Sequence, residues 1–194
     1  MIGICTPTRD TVGAGFAFDL AQLMKRKNSD DVEFFLVQGT LLSNMRNVLV
    51  RKVLDTHLCK YVLFIDSDMR FPVDLVDRLL AHDLPIVAAN CRQRTQKGWT
   101  ARKGDDFVSS ENKTGLEEVD TVGTGVMLIK DEVFWRMGVD GGPWFFSPWD
   151  TQEKKMIGED VYFCVKAKEA GFKIMVDHDL SQDIKHVGSV ELGI

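Results

Sequence analysis

Two carboxylates one residue apart, Asp66 and Asp68, follow an unbroken apolar run, Tyr61 to Ile65. Such a run fits a strand buried on both faces of a parallel sheet. Ligands in open α/β sheets sit just beyond the carboxyl ends of such strands. Asp66, Ser67 and Asp68 therefore lie where two carboxylates can share one hard cation with a phosphate-bearing substrate. The same residues also read as an Asx turn before a helix, since Pro72 and Asp74 resemble a helix start. A second acidic pair, Glu159-Asp160, follows Gly158 at the start of a predicted helix. The helix dipole favours carboxylates there and keeps them ionised, as a general base must be. Before that pair, Gly141 to Trp149 carries Trp144, Phe145, Phe146 and Trp149, a wall suited to excluding water. The alternative is that these rings cover the core. His186 follows the last predicted strand, close enough to swing back to the rim; imidazole suits Mn²⁺, although a lone late histidine is commonly structural.

The elements that must position these groups follow from periodicity. Ile2 to Thr6 and Val32 to Val37 read as strands, with a helix through Phe16, Leu20, Leu23 and Met24 between them. A second helix spans roughly Ser43 to Leu58, with Ser43 or Asn44 as N-cap. Pro72 to Ala81 gives a third helix and Pro85 to Asn90 a fourth strand. This βαβαβαβ order demands a mostly parallel sheet with helices on both faces. Residues 92–118 are polar and turn-rich. Val119 to Lys130 reads as one strand with Gly123 and Gly125 inside it, where a ligand can approach closely or a bulge can form. A helix from Gly158 to about Ala170, capped by Gly171, and a strand from Lys173 to Val176 complete the set.

The 194 residues, 44% hydrophobic and 27% charged, suit one domain with a core of its own. A net charge of −5 argues against a general nucleic-acid or anionic-membrane binder. The basic stretch from Arg92 to Lys103, with Trp99 inside it, reads as a solvated loop. Cys5, Cys59, Cys91 and Cys164 show no C-x-x-C spacing, which fits a reduced, cytoplasmic setting. The start has no signal-peptide pattern, and no run approaches the roughly 18 apolar residues of a membrane span. Gly13-Ala-Gly15 faintly resembles a dinucleotide fingerprint, but Phe18 occupies its third glycine position and no acidic residue ends the second strand.

Taken in order, Thr-Pro-Thr-Arg (6–9), Asn-Met-Arg-Asn (44–47), Asp66-Ser67-Asp68, Gly-Thr-Gly-Val-Met-Leu-Ile (123–129), Gly-Glu-Asp (158–160) and His186 resemble the GT-A glycosyltransferases, especially their inverting family-2-like branch. The resemblance implies a single GT-A domain over 1–194, a Rossmann-like αβα sandwich with a nucleotide-binding half (1–91) and an acceptor-binding, catalytic half (92–194). It implies that Asp66, Asp68 and His186 hold Mn²⁺ or Mg²⁺ against the diphosphate of a nucleotide sugar. Thr6, Pro7, Thr8 and Arg9 would border base and ribose, with Ser67 beside them, and Arg46 would face the nucleotide. Asp160, seconded by Glu159, would deprotonate an acceptor hydroxyl, with Gly125, Trp144 and Trp149 on the acceptor side. A base across the sugar from the metal predicts inversion by single displacement. The chain is short for that family and lacks its usual apolar C-terminal acceptor helices, so membrane attachment is not implied. Two alternatives remain open: a nucleotidyltransferase, which would normally carry a lysine-containing glycine-rich phosphate loop that Thr6 to Gly15 lacks, and a non-catalytic nucleotide- or sugar-binding module of the same fold.

Overall fold

The computed structural model describes residues 1–28, 30–93, 98–138 and 143–188. In chain order the elements are β1 (Ile2–Thr8), α1 (Ala14–Arg26), β2 (Val32–Gln38), α2 (Leu42–Asp55), β3 (Tyr61–Ile65), β4 (Met69–Arg70), α3 (Leu75–Ala81) and β5 (Ile86–Ala89). The second half adds β6 (Arg102–Lys103), β7 (Asp106–Phe107), β8 (Leu116–Val119), β9 (Val126–Lys130), α4 (Asp131–Met137), β10 (Trp149–Asp150) and β11 (Lys155–Met156). It ends with α5 (Glu159–Glu169), β12 (Ile174–Asp177), α6 (His178–Asp183) and β13 (Lys185–His186).

Seven strands form one sheet in the order β2-β1-β3-β9-β5-β12-β8. Strands β1, β2 and β3 run parallel, as do β5 and β12; β9 and β8 run against them. The sheet is thus the expected mostly parallel one, but it is not wound in chain order. β9 enters from the second half and separates β3 from β5. Its apolar Val-Met-Leu-Ile run is buried throughout, so the interior of the sheet is where it belongs.

Alternate residues of β3 feed two cores. Val62 and Phe64 join α2, α4 and α5 side chains on one face, among them Leu49, Val53, Phe134 and Phe163. Leu63 and Ile65 join Phe16 and Leu23 of α1 and Val76 and Leu79 of α3 on the other. Burying each such side chain contributes about 1.5–3 kcal/mol. Gly171 caps α5 at φ +89°, a left-handed conformation that costs glycine little, and Phe172 N–H closes back onto Ala167 O at 3.0 Å.

Several boundaries differ from the sequence expectation. The first strand continues through Pro7 to Thr8, because Pro7 lies beyond the stretch where β3 pairs and needs no N–H on that side. Helix α2 begins at Leu42, which places Ser43 and Asn44 inside it rather than at its cap. Residues 119–130 form no single strand; β8 ends at Val119, and Gly123 and Gly125 lie in the segment leading to β9. The short helices α4 and α6 were not evident from periodicity. Among the described residues no helix is long and apolar enough to cross a membrane, and all four cysteines are free and buried. Residues 94–97 of the basic stretch and Gly141 and Gly142 of the aromatic loop lie outside the described residues.

Candidate functional site

The rim beyond β3 holds a cleft of about 280 Å³, lined by Arg46, Asp66, Thr124, Gly125, Glu159, Asp160 and His186 together with Leu42, Met69, Cys91, Thr100 and Gly123. Residues from seven separate stretches of sequence converge here, and the hub is Arg46. It sits on the buried stripe of α2 with Leu49, Val50 and Val53 and is 1% exposed. A charge at such a position needs counter-charges, since an isolated buried ion is very costly. Arg46 Nη2 lies 3.0 and 3.1 Å from the two oxygens of Asp66, and Nε donates to Glu159 Oε1 at 3.3 Å. The guanidinium also rests over the Phe64 ring at 5.2 Å. Arg46 ties two carboxylates of the cleft together. The Arg46 guanidinium is thus the partner of Asp66. Burial raises the Asp66 carboxyl above its ordinary range despite the pull of Arg46.

Asp68 and His186 do meet. The two-residue strands β4 and β13 pair with His186 opposite Met69, and Val187 N–H donates to Asp68 O at 2.9 Å. This ribbon is anchored to α1: Asp19 accepts from Arg70 Nε and Nη2 at 2.6 and 3.0 Å and from Phe71 N–H at 3.1 Å. His186 Nε2 stands 3.2 Å from Asp68 Oδ2, while Nδ1 lies 2.8 Å from the Arg92 carbonyl. A carbonyl only accepts, so Nδ1 carries a proton, and a neutral ring then turns its Nε2 lone pair toward the carboxylate. A cation between the two, proton or metal, resolves that repulsion. Cis ligands each about 2.1 Å from an octahedral ion stand about 3 Å apart, so this pair fits Mg²⁺ or Mn²⁺ in spacing and donor type. Among the described residues no third His, Cys, Asp or Glu joins them; water and substrate oxygens would complete the shell.

Across the cleft, Glu159 and Asp160 open α5. Glu159 is held by Arg46, whereas Asp160 Oδ1 accepts from the local Val161 N–H, at 2.7 Å. A Cβ on Gly158 would stand 2.5 Å from that oxygen, so a side chain at 158 would displace the carboxylate. Burial and the charge of Glu159 push the Asp160 carboxyl above its ordinary value. That is the direction that strengthens a base. Cys91 is a neutral thiol here, pushed up to about 12 by burial and by Asp66.

The remaining expected residues are placed less uniformly. Gly125 lines the cleft and accepts from Asp66 N–H at 2.9 Å. Ser67 is half-buried, and its carbonyl accepts from Gly13 N–H at 3.0 Å, which lays the loop after β1 against the Asp-Ser-Asp turn. The Thr6 hydroxyl donates to Ile65 O at 2.9 Å and that of Thr8 to Thr11 O at 2.6 Å; with Pro7 buried as well, these side chains shape the rim. Arg9 alone of the four is exposed, 3.5 Å from Asp10. Trp144 is a correction: it is 4% exposed, packs edge-on against Phe134 and donates Nε1–H to Phe134 O at 3.0 Å. Phe145 is likewise in the core, stacked on Phe163. The exposed rings are Trp149, at the β10–β11 hairpin, and Phe146, edge-on to Tyr162. Thr124 lies inside the Gly-Thr-Gly-Val-Met-Leu-Ile motif but was not singled out, because its burial depends on the path of 120–125.

Comparison with known proteins bears on the fold. The Anp1 family, a family-2-like glycosyltransferase family, matches residues 17–107, just under half of the chain. No curated protein matches in sequence. Among solved structures, A197 from STIV is similar at a TM-score of 0.66 and 16% identity, over 100% of this chain and 96% of that one. GalNAc-T7, crystallised with UDP, GalNAc and Mn²⁺, gives a TM-score of 0.66 at 14% identity over 98% of this chain and 44% of its own. S. aureus TarS 1-349 in complex with UDP-GlcNAc gives 0.58 at 15% identity over 99% of this chain and 59% of its own. The chain spans nearly all of the first but only about half of the other two. Its fold is that of the GT-A glycosyltransferases.

Proposed function

We propose that this chain is a metal-dependent glycosyltransferase that moves a sugar from a nucleotide-diphosphate sugar to an acceptor hydroxyl, with inversion. The observation that carries the reading is one cleft lined both by His186, which stands against Asp68, and by Asp160, whose carboxyl is raised above its ordinary value. Mn²⁺ or Mg²⁺ held by Asp68 and His186 would supply positive charge for the departing diphosphate. Asp160 accepts the proton of the acceptor hydroxyl as that oxygen attacks; Glu159, committed to Arg46, does not compete for it. Arg46 fixes both Asp66 and Glu159, so the cleft walls keep their spacing before substrate arrives. Trp149 and Phe146, exposed beside α5, offer the apolar faces on which an acceptor glycan stacks. In this reading residues 1–91 carry most of the nucleotide site and 92–194 the base and acceptor side.

Thermal unfolding against UDP, GDP, CMP and dTDP, each with Mn²⁺ and with a chelator, tests the donor site. A metal-dependent rise with one nucleotide is expected, because a ligand that binds only the native state stabilises it. No rise with any of them overturns the reading. With the donor class known, Asp160→Asn should lower transfer by about 10²–10⁴-fold while nucleotide affinity is retained.

A further inference from the structure

The seven-stranded sheet has two edges, β2 and β8, and they are finished differently. A free edge carries a row of unpaired N–H and C=O groups, and chains that stay apart blunt it with charge, proline, a bulge or a short strand. β8 is blunted: it is four residues long, Leu-Glu-Glu-Val, with Glu117 engaged by Lys113 and His178 and Glu118 by Lys173. β2 is not. It runs for seven residues, Val-Glu-Phe-Phe-Leu-Val-Gln, in unbroken parallel register with β1, without bulge or proline and with Glu33 as its one charge. Phe34, Phe35 and Val37 are only partly covered by the two cores, and Leu36 is 47% exposed. The backbone is open as well. Ile2 N–H donates to Asp31 O and Gly39 N–H to Thr8 O, so the odd-numbered residues of this stretch face β1. Val32, Phe34, Leu36 and Gln38 therefore turn their N–H and C=O groups outward. Among the described residues no other element bonds to that outward row.

We infer that β2 is a pairing edge for a second copy of this chain. A two-fold axis beside Phe35 sets β2 antiparallel to its copy, which makes Phe34 and Leu36 mutual partners, and likewise Val32 and Gln38. Each such pair exchanges two backbone bonds, so all four outward residues are answered, by about eight bonds in total. Phe34, Phe35 and Leu36 meet the same three residues in reverse, apolar against apolar, and Glu33 falls opposite the partner's Val37, so no like charges meet. This self-complementarity favours a second copy over a foreign strand. Pairing β2 with β8 would instead lay apolar side chains against Glu117 and Glu118 and leave one edge free at each end, an array that does not close. The β2 pair closes at two copies and joins two sheets into one. It stands apart from the glycosyltransferase reading and does not depend on it.

The test is sedimentation velocity of the full chain over about a hundredfold range of concentration, with thermal unfolding as the check that each variant folds. Wild type should sediment as a dimer at the upper end. Leu36→Lys places a charge in the joint, and Leu36→Pro removes an outward N–H while sparing the bonds to β1, which residue 36 does not make. Both should weaken dimerisation at least about tenfold and still unfold cooperatively, whereas Leu36→Val, which keeps the edge apolar, should dimerise as wild type does. Gln38→Pro repeats the proline test at the exposed end of the same row. A dimer that survives all three disruptive changes overturns the inference. So does a wild type that is monomeric throughout, which would leave the edge to a strand from another protein.

Discussion

Asn90, at the end of β5, and Asp66, at the end of β3, lie at the same rim of the sheet, and each anchors a buried polar cluster. Around Asn90 every group is answered. Its Nδ2 donates to Val108 O at 2.8 Å and Ser110 Oγ at 3.0 Å, and its Oδ1 accepts from Ala101 N–H at 2.8 Å. Ser110 Oγ lies 2.7 Å from His178 Nδ1, and His178 Nε2 lies 2.9 Å from Glu117 Oε2. A serine, a histidine and a glutamate in series could suggest a nucleophile, but Ser110 is 0% exposed and no substrate reaches it. The cluster around Arg46 keeps unanswered atoms, Arg46 Nη1 and Thr124 Oγ1 among the described residues, and opens to a cleft. The comparison separates two uses of buried polarity. A closed network holds residues 98–121 onto the sheet, whereas an open one is held ready for a ligand.

The largest way to break the open cluster is Arg46→Met, which leaves Asp66 and Glu159 without their cation. A loss of about 3–5 kcal/mol in urea unfolding is expected; a loss under about 1 kcal/mol would show that Arg46 is not the hub. Asn90→Ala attacks the closed cluster and should cost about 2–3 kcal/mol in the same measurement through stranded donors and acceptors. An unchanged midpoint there would erase the distinction drawn between the two clusters. Next in size, Asp68→Asn or His186→Ala should weaken Mn²⁺-dependent nucleotide binding by at least about tenfold, about 1.4 kcal/mol, in titration calorimetry. Retained metal dependence would mean the cation sits elsewhere.

The smallest effect is in the pH dependence. The folded Asp160 carboxyl is raised above its ordinary value, so the native state holds this proton more tightly than the unfolded chain. Stability from this group therefore falls as pH rises from the ordinary aspartate value through the raised one, and the penalty persists above it. Asp160→Asn removes that penalty. The stability of the variant relative to wild type should grow from about pH 4 toward neutrality in denaturation series; parallel curves would place Asp160 in ordinary solvation. The same carboxyl should set the acidic limb of transfer, shifted upward from a free aspartate.

How much of this was legible from the sequence differs by residue. The five apolar residues before Asp66 required a doubly buried strand, and their end placed Asp66 and Asp68 at the rim. Gly158-Glu159-Asp160 read correctly as a helix start because capping and dipole effects are local. Arg46 carried a signal that a residue-by-residue reading undervalues: a cation on an otherwise apolar helical stripe must find carboxylates. Trp144 and Trp149 carried none, since both sit in one Gly/Pro-rich loop of aromatics and only packing sends one ring into the core and leaves the other outside.

By itself, then, the sequence determined the strands and helices of the first half, the α/β class and the rim position of the acidic motifs. All of these follow from periodicity and caps that act over a few residues. Tertiary structure alone decided that β9 runs antiparallel between β3 and β5, that Asp66 turns to Arg46 while Asp68 turns to His186, and that Thr124 is left buried without a partner. Those outcomes depend on which distant segments share a face of the sheet, where burial and charge pairing join residues more than a hundred positions apart.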